Sequence, residues 1–258
     1  MIGMFDSGFG GLTVARAVID LLPGEDLVYL GDTGRYPYGP RDQDEVRGFA
    51  HQISRHLIDE HDVDLLVVAC NTAAAAALES LQAELRIPVI GVIEPGVRSM
   101  VKVTQTGRVA VIGTVGTIGS GAYQRAVDAT GAAVELTLAA CPGFVEFVER
   151  GELRSEQVHV LAQRLLAPVC EAKPDTLLLG CTHYPFLART ISDVVGRDVV
   201  LVSSADETAF EVARMLGIRH ERRGAHRWLS SGDVGWFREM GRRLLGPEID
   251  TVEAVRWA

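Results

Sequence analysis

The chain has 258 residues, 47% of them hydrophobic and 23% charged, the balance of a globular protein long enough for one large α/β domain or two of modest size. A net charge of −9 removes the positive field that a general nucleic-acid or membrane-surface binder needs, and no apolar run reaches the roughly 18 residues of a membrane span. With an N-terminus reading MIGMFDSG rather than a basic leader, the expectation is a cytoplasmic protein that needs neither nucleic acid nor membrane.

Short runs rich in valine, isoleucine and leucine predict strands at Ile2–Phe5, Leu27–Leu30, Leu65–Ala69, Val89–Val92, Val109–Ile112, Val134–Thr137, Thr176–Leu179 and Val199–Val202. Amphipathic stretches between them predict helices at Leu12–Leu22, Gln43–Glu60, Ala73–Leu85, Tyr123–Thr130 and Ser155–Glu171. Strands alternating with helices, and apolar on both faces, point to parallel sheets covered on both sides. The turns after the strands are small and polar: DSGFGG (Asp6–Gly11), GDTGRYPYG (Gly31–Gly39), CNT (Cys70–Thr72), GTVGTIGSG (Gly113–Gly121) and CTH (Cys181–His183). They belong at the carboxyl ends of the strands, where open α/β sheets bind ligands.

The pattern is doubled. A Gly-rich turn followed by a cysteine turn runs from Asp6 to Thr72 and again from Gly113 to His183, at an offset of about 100 residues, the size of a domain. The expected architecture is therefore α/β, with two similar doubly wound parallel-sheet domains facing each other across a cleft. The expected division is residues 1–93 plus 206–258 against 94–205, with the chain crossing within Val92–Val97, which contains Glu94-Pro95-Gly96. The return is inferred from the helical patterns Phe210–Leu216 and Val234–Leu245, which need a surface to cover.

Of the four cysteines, Cys70, Cys141, Cys170 and Cys181, none forms a C-x-x-C pair and none has zinc-site spacing, so no metal is expected. Cys70 and Cys181 stand at matching strand ends before runs that turn helical. There the partial positive charge of a helix N-terminus favours thiolate. Two thiols on opposite walls of a cleft suit inversion of a stereocentre, one base removing a proton from one face and one acid returning it to the other. Asp6 and His183 are candidate acid–base partners, although an aspartate at a strand end is often only a helix cap. Asp32 is a further candidate, and so is Glu149, which ends a FVEFVE segment of the kind whose glutamates commonly face solvent. Ser7, Asn71, Thr72, Thr114, Thr117 and Thr182 offer hydroxyls and amides for a carboxylate. Tyr38-Gly39 sit in a segment read as a rigid loop that lays an aromatic over the cleft. No nucleotide-binding fingerprint occurs.

The segments FDSGFGGLTV (Phe5–Val14), GDTGRYPYGPR (Gly31–Arg41), VVACNTAAAAALE (Val67–Glu79), PVIGVIEPG (Pro88–Gly96), VIGTVGTIGSGAY (Val111–Tyr123) and LLLGCTHYPFL (Leu177–Leu187) resemble the glutamate racemases of the aspartate/glutamate racemase superfamily. The resemblance implies cofactor-independent interconversion of L- and D-glutamate, supplying D-glutamate for peptidoglycan. It implies that Cys70 acts on D-glutamate and Cys181 on L-glutamate, Asp6 assisting the first and His183 the second, with Asp32 and Glu149 in support. Asp6-Ser7, Tyr38-Gly39, Asn71-Thr72 and Thr182-His183 would contact substrate. The chain departs from the family pattern at Gly34 (usually alanine), Ser203 (commonly aspartate) and Glu146 (usually proline). The rivals are an aspartate racemase and a non-catalytic flavodoxin-like binding module. The assembly is left open, a homodimer included, because no face stands out as an apolar interface.

Overall fold

The computed structural model describes residues 1–217 and 223–257; residues 218–222 and 258, within the expected C-terminal part of the first domain, lie outside the described residues. Ten strands occur among the described residues: β1 (Ile2–Asp6), β2 (Leu27–Gly31), β3 (Leu65–Val68), β4 (Val89–Gly91), β5 (Arg108–Gly113), β6 (Glu135–Ala140), β7 (Thr176–Gly180), β8 (Val200–Val202), β9 (His226–Ser230) and β10 (Val252–Ala254). The helices are α1 (Leu12–Leu21), α2 (Gln43–His61), α3 (Asn71–Glu84), α4 (Ile93–Val103), α5 (Val115–Gly119), α6 (Ala122–Thr130), α7 (Phe144–Glu149), α8 (Glu156–Leu165), α9 (Ala167–Ala172), α10 (Ala188–Val195), α11 (Ala205–Leu216) and α12 (Val234–Leu244). None of them is long and apolar enough to cross a membrane.

The chain divides into two compact units, Met1–Val92 with Ala205–Ala258, and Ile93–Ser204. The first carries a six-stranded sheet in the order β10-β9-β2-β1-β3-β4, the second a four-stranded sheet in the order β6-β5-β7-β8. Every pairing in both is parallel. The order β2-β1-β3-β4 in the first sheet is repeated as β6-β5-β7-β8 in the second. Strand order reverses at β1 in one and at β5 in the other, and such reversal points are where open α/β sheets leave a crevice.

Full burial of β1, β2, β3 and β7 explains their unbroken apolar runs. Helix α1 buries Leu12, Val14, Ala15, Val18 and Ile19, a one-sided stripe, and packs on α11. Helix α3 buries alanines on nearly all sides (Ala73, Ala74, Ala76, Ala77), small enough to lie against both α2 and β4.

Glu94-Pro95-Gly96 stand in the first turn of α4, just after the division between the units at Val92, and proline there costs no intrahelical hydrogen bond. The structure differs from expectation at two places. The single helix expected over Ser155–Glu171 is two, because Pro168 stands in the first turn of α9 and cannot continue α8. Strands β9 and β10 lacked a sequence signal: HRWLS mixes polar and aromatic residues, and VEA is a short, largely exposed edge.

Candidate active site

At the reversal point of the first sheet, Phe5 pairs with Val68 and Asp6 with Gly31, so the residues just beyond β1, β2 and β3 emerge side by side. Asp6 is buried and accepts a 2.8 Å bond from the Gly8 N–H. The tight return of Gly8–Gly11 is sterically required: a Cβ on Gly11 would stand 2.7 Å from the Asp6 Cβ and 2.9 Å from the Tyr29 hydroxyl. Cys70 is the N-cap of α3. Its sulfur accepts from the Ala73 N–H at 3.5 Å and its thiol lies 3.8 Å from the Ser7 hydroxyl. Asn71 and Thr72 are buried in the first turn of the same helix.

The helix N-terminus does not win the contest over the Cys70 proton. Burial, then the Asp6 charge, push the thiol up to about 11, against the downward pull of the Ala73 and Ser7 groups. This corrects the expectation of a thiolate, since desolvation outweighs a partial charge at a site only 5% exposed. The expected alkylation rate of Cys70 by a small thiol reagent therefore climbs about tenfold per pH unit and keeps climbing beyond pH 9, where an ordinary thiol levels off. Mass spectrometry of the Cys70 peptide reads this directly; a plateau at or below pH 9 would contradict the assigned cause.

Asp32 follows β2 and is fully buried. Both carboxylate oxygens are taken: Oδ1 by Ser231 Oγ (2.5 Å) and Trp257 Nε1 (2.9 Å), Oδ2 by Arg35 Nε (2.7 Å) and the Tyr38 hydroxyl. Burial and the Asp32 charge hold Tyr38 well above the usual phenol range, so it remains a donor. Tyr38 is buried against Phe49, with ring centroids 5.5 Å apart, and Gly39 is half-buried beside it. Tyr38 is thus an anchor of the loop.

In the second unit Gly113 pairs with Gly180, which sets Thr114 beside Cys181. Thr114 caps α5, accepting from the Thr117 N–H at 3.2 Å, and the two threonine hydroxyls are 2.9 Å apart. Cys181, Thr182 and His183 are all buried. The Cys181 sulfur is 3.9 Å from His183 Nδ1, and His183 Nε2 is 3.4 Å from Glu149 Oε1. The segment after Cys181 differs from that after Cys70. It is a 3-10 turn, Tyr184–Leu187 with Pro185 inside, followed by α10, so Cys181 caps no α-helix. Glu149, a candidate from the sequence although such glutamates commonly face solvent, ends α7 with a side chain only 15% exposed, because α7 packs on that 3-10 turn. Tyr184, whose N–H bonds the Cys181 carbonyl, is buried, edge-on to Phe144 and donates its hydroxyl to the Cys141 carbonyl at 3.1 Å.

Within each unit the structure thus gathers the residues singled out from sequence: Asp6, Ser7, Cys70, Asn71 and Thr72 at one reversal point, Thr114, Thr117, Cys181, Thr182 and His183 at the other. Asp32 and Tyr38-Gly39 join the first unit's loop, and Glu149 joins His183. Sequence reasoning missed Arg35, although it stands within the GDTGRYPYG turn, and it missed Ser231 and Trp257, which carry no motif.

Two parallel α/β units, each with a buried thiol at an equivalent strand end, define the class of protein to which the chain is compared. Residues 11–211 match the Asp/Glu/Hydantoin racemase family, and the chain belongs to that family. It is 50% identical over 262 residues to a glutamate racemase of Acidothermus cellulolyticus, covering 98% of each chain. It is 45% identical over 259 residues to one of Bacillus cereus, covering 98% of this chain and 96% of the relative. Among solved structures, a glutamate racemase isoform of Bacillus anthracis superposes with a TM-score of 0.94 at 43% identity, covering 99% of this chain and 97% of the other. A Francisella tularensis glutamate racemase in complex with D-glutamate superposes with a TM-score of 0.91 at 32% identity, covering 98% and 96%.

Proposed function

We propose that this racemase interconverts L- and D-glutamate by a two-thiol mechanism without a cofactor, in the cytoplasm, and that the D-glutamate supplies peptidoglycan synthesis. The observation that carries the reading is near-full-length likeness to glutamate racemases in a chain whose two cysteine turns occupy equivalent strand ends, each beside an ionisable group. In one direction the Cys70 thiolate removes the α-proton of D-glutamate, leaving a carbanion stabilised by the adjacent carboxylate. The Cys181 thiol returns a proton to the opposite face, giving L-glutamate. Cys70 ends protonated and Cys181 ionised, so the reverse reaction starts from the form the forward reaction leaves.

Because burial and Asp6 hold the proton on Cys70, Asp6 is the group assigned to receive it when substrate arrives. His183, beside Cys181 and within reach of Glu149, takes the corresponding part on the other thiol. Ser7, Tyr38-Gly39, Asn71, Thr72, Thr114, Thr117 and Thr182 hold the carboxylates and the ammonium group through hydroxyls, amides and backbone groups. In this reading Asp32 acts through Tyr38 and Arg35 rather than on the substrate, since both of its oxygens are occupied.

Incubated in heavy water, the protein alone is expected to place deuterium on the α-carbon of both glutamate enantiomers, read by NMR. Absence of exchange in a folded sample, or faster exchange on aspartate run alongside, would overturn the assignment.

A further inference from the structure

The first sheet is longer than the second by β9 and β10, and those two strands end beside the loop that follows β2. Ser231 and Trp257, which follow them, both bond Asp32 Oδ1. The Arg35 guanidinium also lies over the Trp257 ring, 4.4 Å from its centroid, and over the Phe49 ring at 4.2 Å, while Arg35 Nε bonds Asp32 Oδ2. The turn after β9 meets the loop a second time: Gly34 N–H donates to Ser231 Oγ at 3.0 Å and the Thr33 and Ser230 hydroxyls are 2.7 Å apart. The approach is close enough that a Cβ on Gly34 would stand 2.7 Å from the Ser231 carbonyl oxygen, and one on Gly232 2.6 Å from the Thr33 hydroxyl. Glycine at 34, where the family pattern has alanine, is what this contact requires.

We infer that the C-terminal segment is a latch on the substrate loop, in which Trp257 and Ser231 are positioning residues that hold Asp32 and Arg35 and through them set Tyr38-Gly39. This rests on the proposed reading in which Tyr38-Gly39 meet glutamate. Every bond to Asp32 is charge-assisted, and the latch has no counterpart in the second sheet, which ends at β6 on that side. A strand added at the far edge of a sheet thereby governs a loop at its centre, through four side chains that converge on one carboxylate.

The test compares Trp257→Phe, which keeps a ring over Arg35 but removes the N–H, with Trp257→Leu, which removes both, and adds Ser231→Ala and Gly34→Ala. Loss of one hydrogen bond to a buried charge is expected to raise KM for both glutamate enantiomers about tenfold, with kcat changed less than about threefold, and Leu should exceed Phe. A general loss of stability would not produce that split. The second readout needs no activity: tryptic cleavage after Arg35 should accelerate about tenfold in Trp257→Leu, because the guanidinium loses the ring it stacks on. Gly34→Ala, which pushes the two turns apart, should accelerate it too. Unchanged KM in Trp257→Phe and unchanged cleavage in Trp257→Leu would overturn the latch. An unmodified protein inactive on glutamate would instead sink the substrate reading, and the cleavage rates would still decide the latch.

Discussion

Cys70→Ser and Cys181→Ser are each expected to lower glutamate racemisation about a thousandfold or more, some 4 kcal/mol of lost transition-state stabilisation, with the fold intact. Serine is nearly isosteric in these buried positions, but its hydroxyl ionises far above any accessible pH, so the variant keeps the shape and loses the base. The two variants should fail differently. With Cys181 replaced, Cys70 can still remove and return the proton on its own face of D-glutamate, so solvent deuterium enters that enantiomer without inversion. With Cys70 replaced, the same one-sided exchange is expected on L-glutamate. Circular dichroism of the substrate follows inversion, and NMR in heavy water follows exchange. Full racemisation by either variant, or the same enantiomer exchanging in both, would remove the two-thiol assignment.

Asp32→Ala is expected to destabilise the folded chain by about 3–5 kcal/mol, the usual cost of removing one member of a buried ion pair. The carboxylate is fully buried and accepts from Arg35, Tyr38, Ser231 and Trp257. Alanine leaves four donors facing a void, with the Arg35 charge only 16% exposed. Asp32→Asn should cost less, because one amide oxygen can still accept from Ser231 and Trp257 while the amide nitrogen confronts Arg35 and Tyr38. Urea unfolding midpoints at constant slope read both changes. A loss below about 1 kcal/mol for alanine would mean that the four donors find other partners, and Asp32 would then return to the list of groups available for proton transfer.

Much of the fold was legible because its signals are local. Strands buried on both faces need unbroken apolar runs, and β1, β2, β3, β5 and β7 stand where Ile2–Phe5, Leu27–Leu30, Leu65–Ala69, Val109–Ile112 and Thr176–Leu179 read as such. Cysteine turns after β3 and β7, at similar spacing from two Gly-rich turns, marked the same place in two sheets. Strand β10 escaped because an edge strand is not obliged to be apolar, β9 because HRWLS breaks the apolar run with polar residues, and the helix break at Pro168 because a continuous stripe runs across it.

The sequence by itself therefore determined the two parallel sheets, the rims on which Cys70 and Cys181 stand, and the local partners Asp6 and His183. Only the tertiary structure decided that Glu149 meets His183, that Asp32 is consumed by a clasp of Arg35, Tyr38, Ser231 and Trp257, and that burial pushes the Cys70 thiol up. The reason is physical. Periodicity and turn chemistry act between neighbours in the chain and leave a mark there. Desolvation, and contacts between residues some two hundred positions apart, exist only once strand order has brought them together.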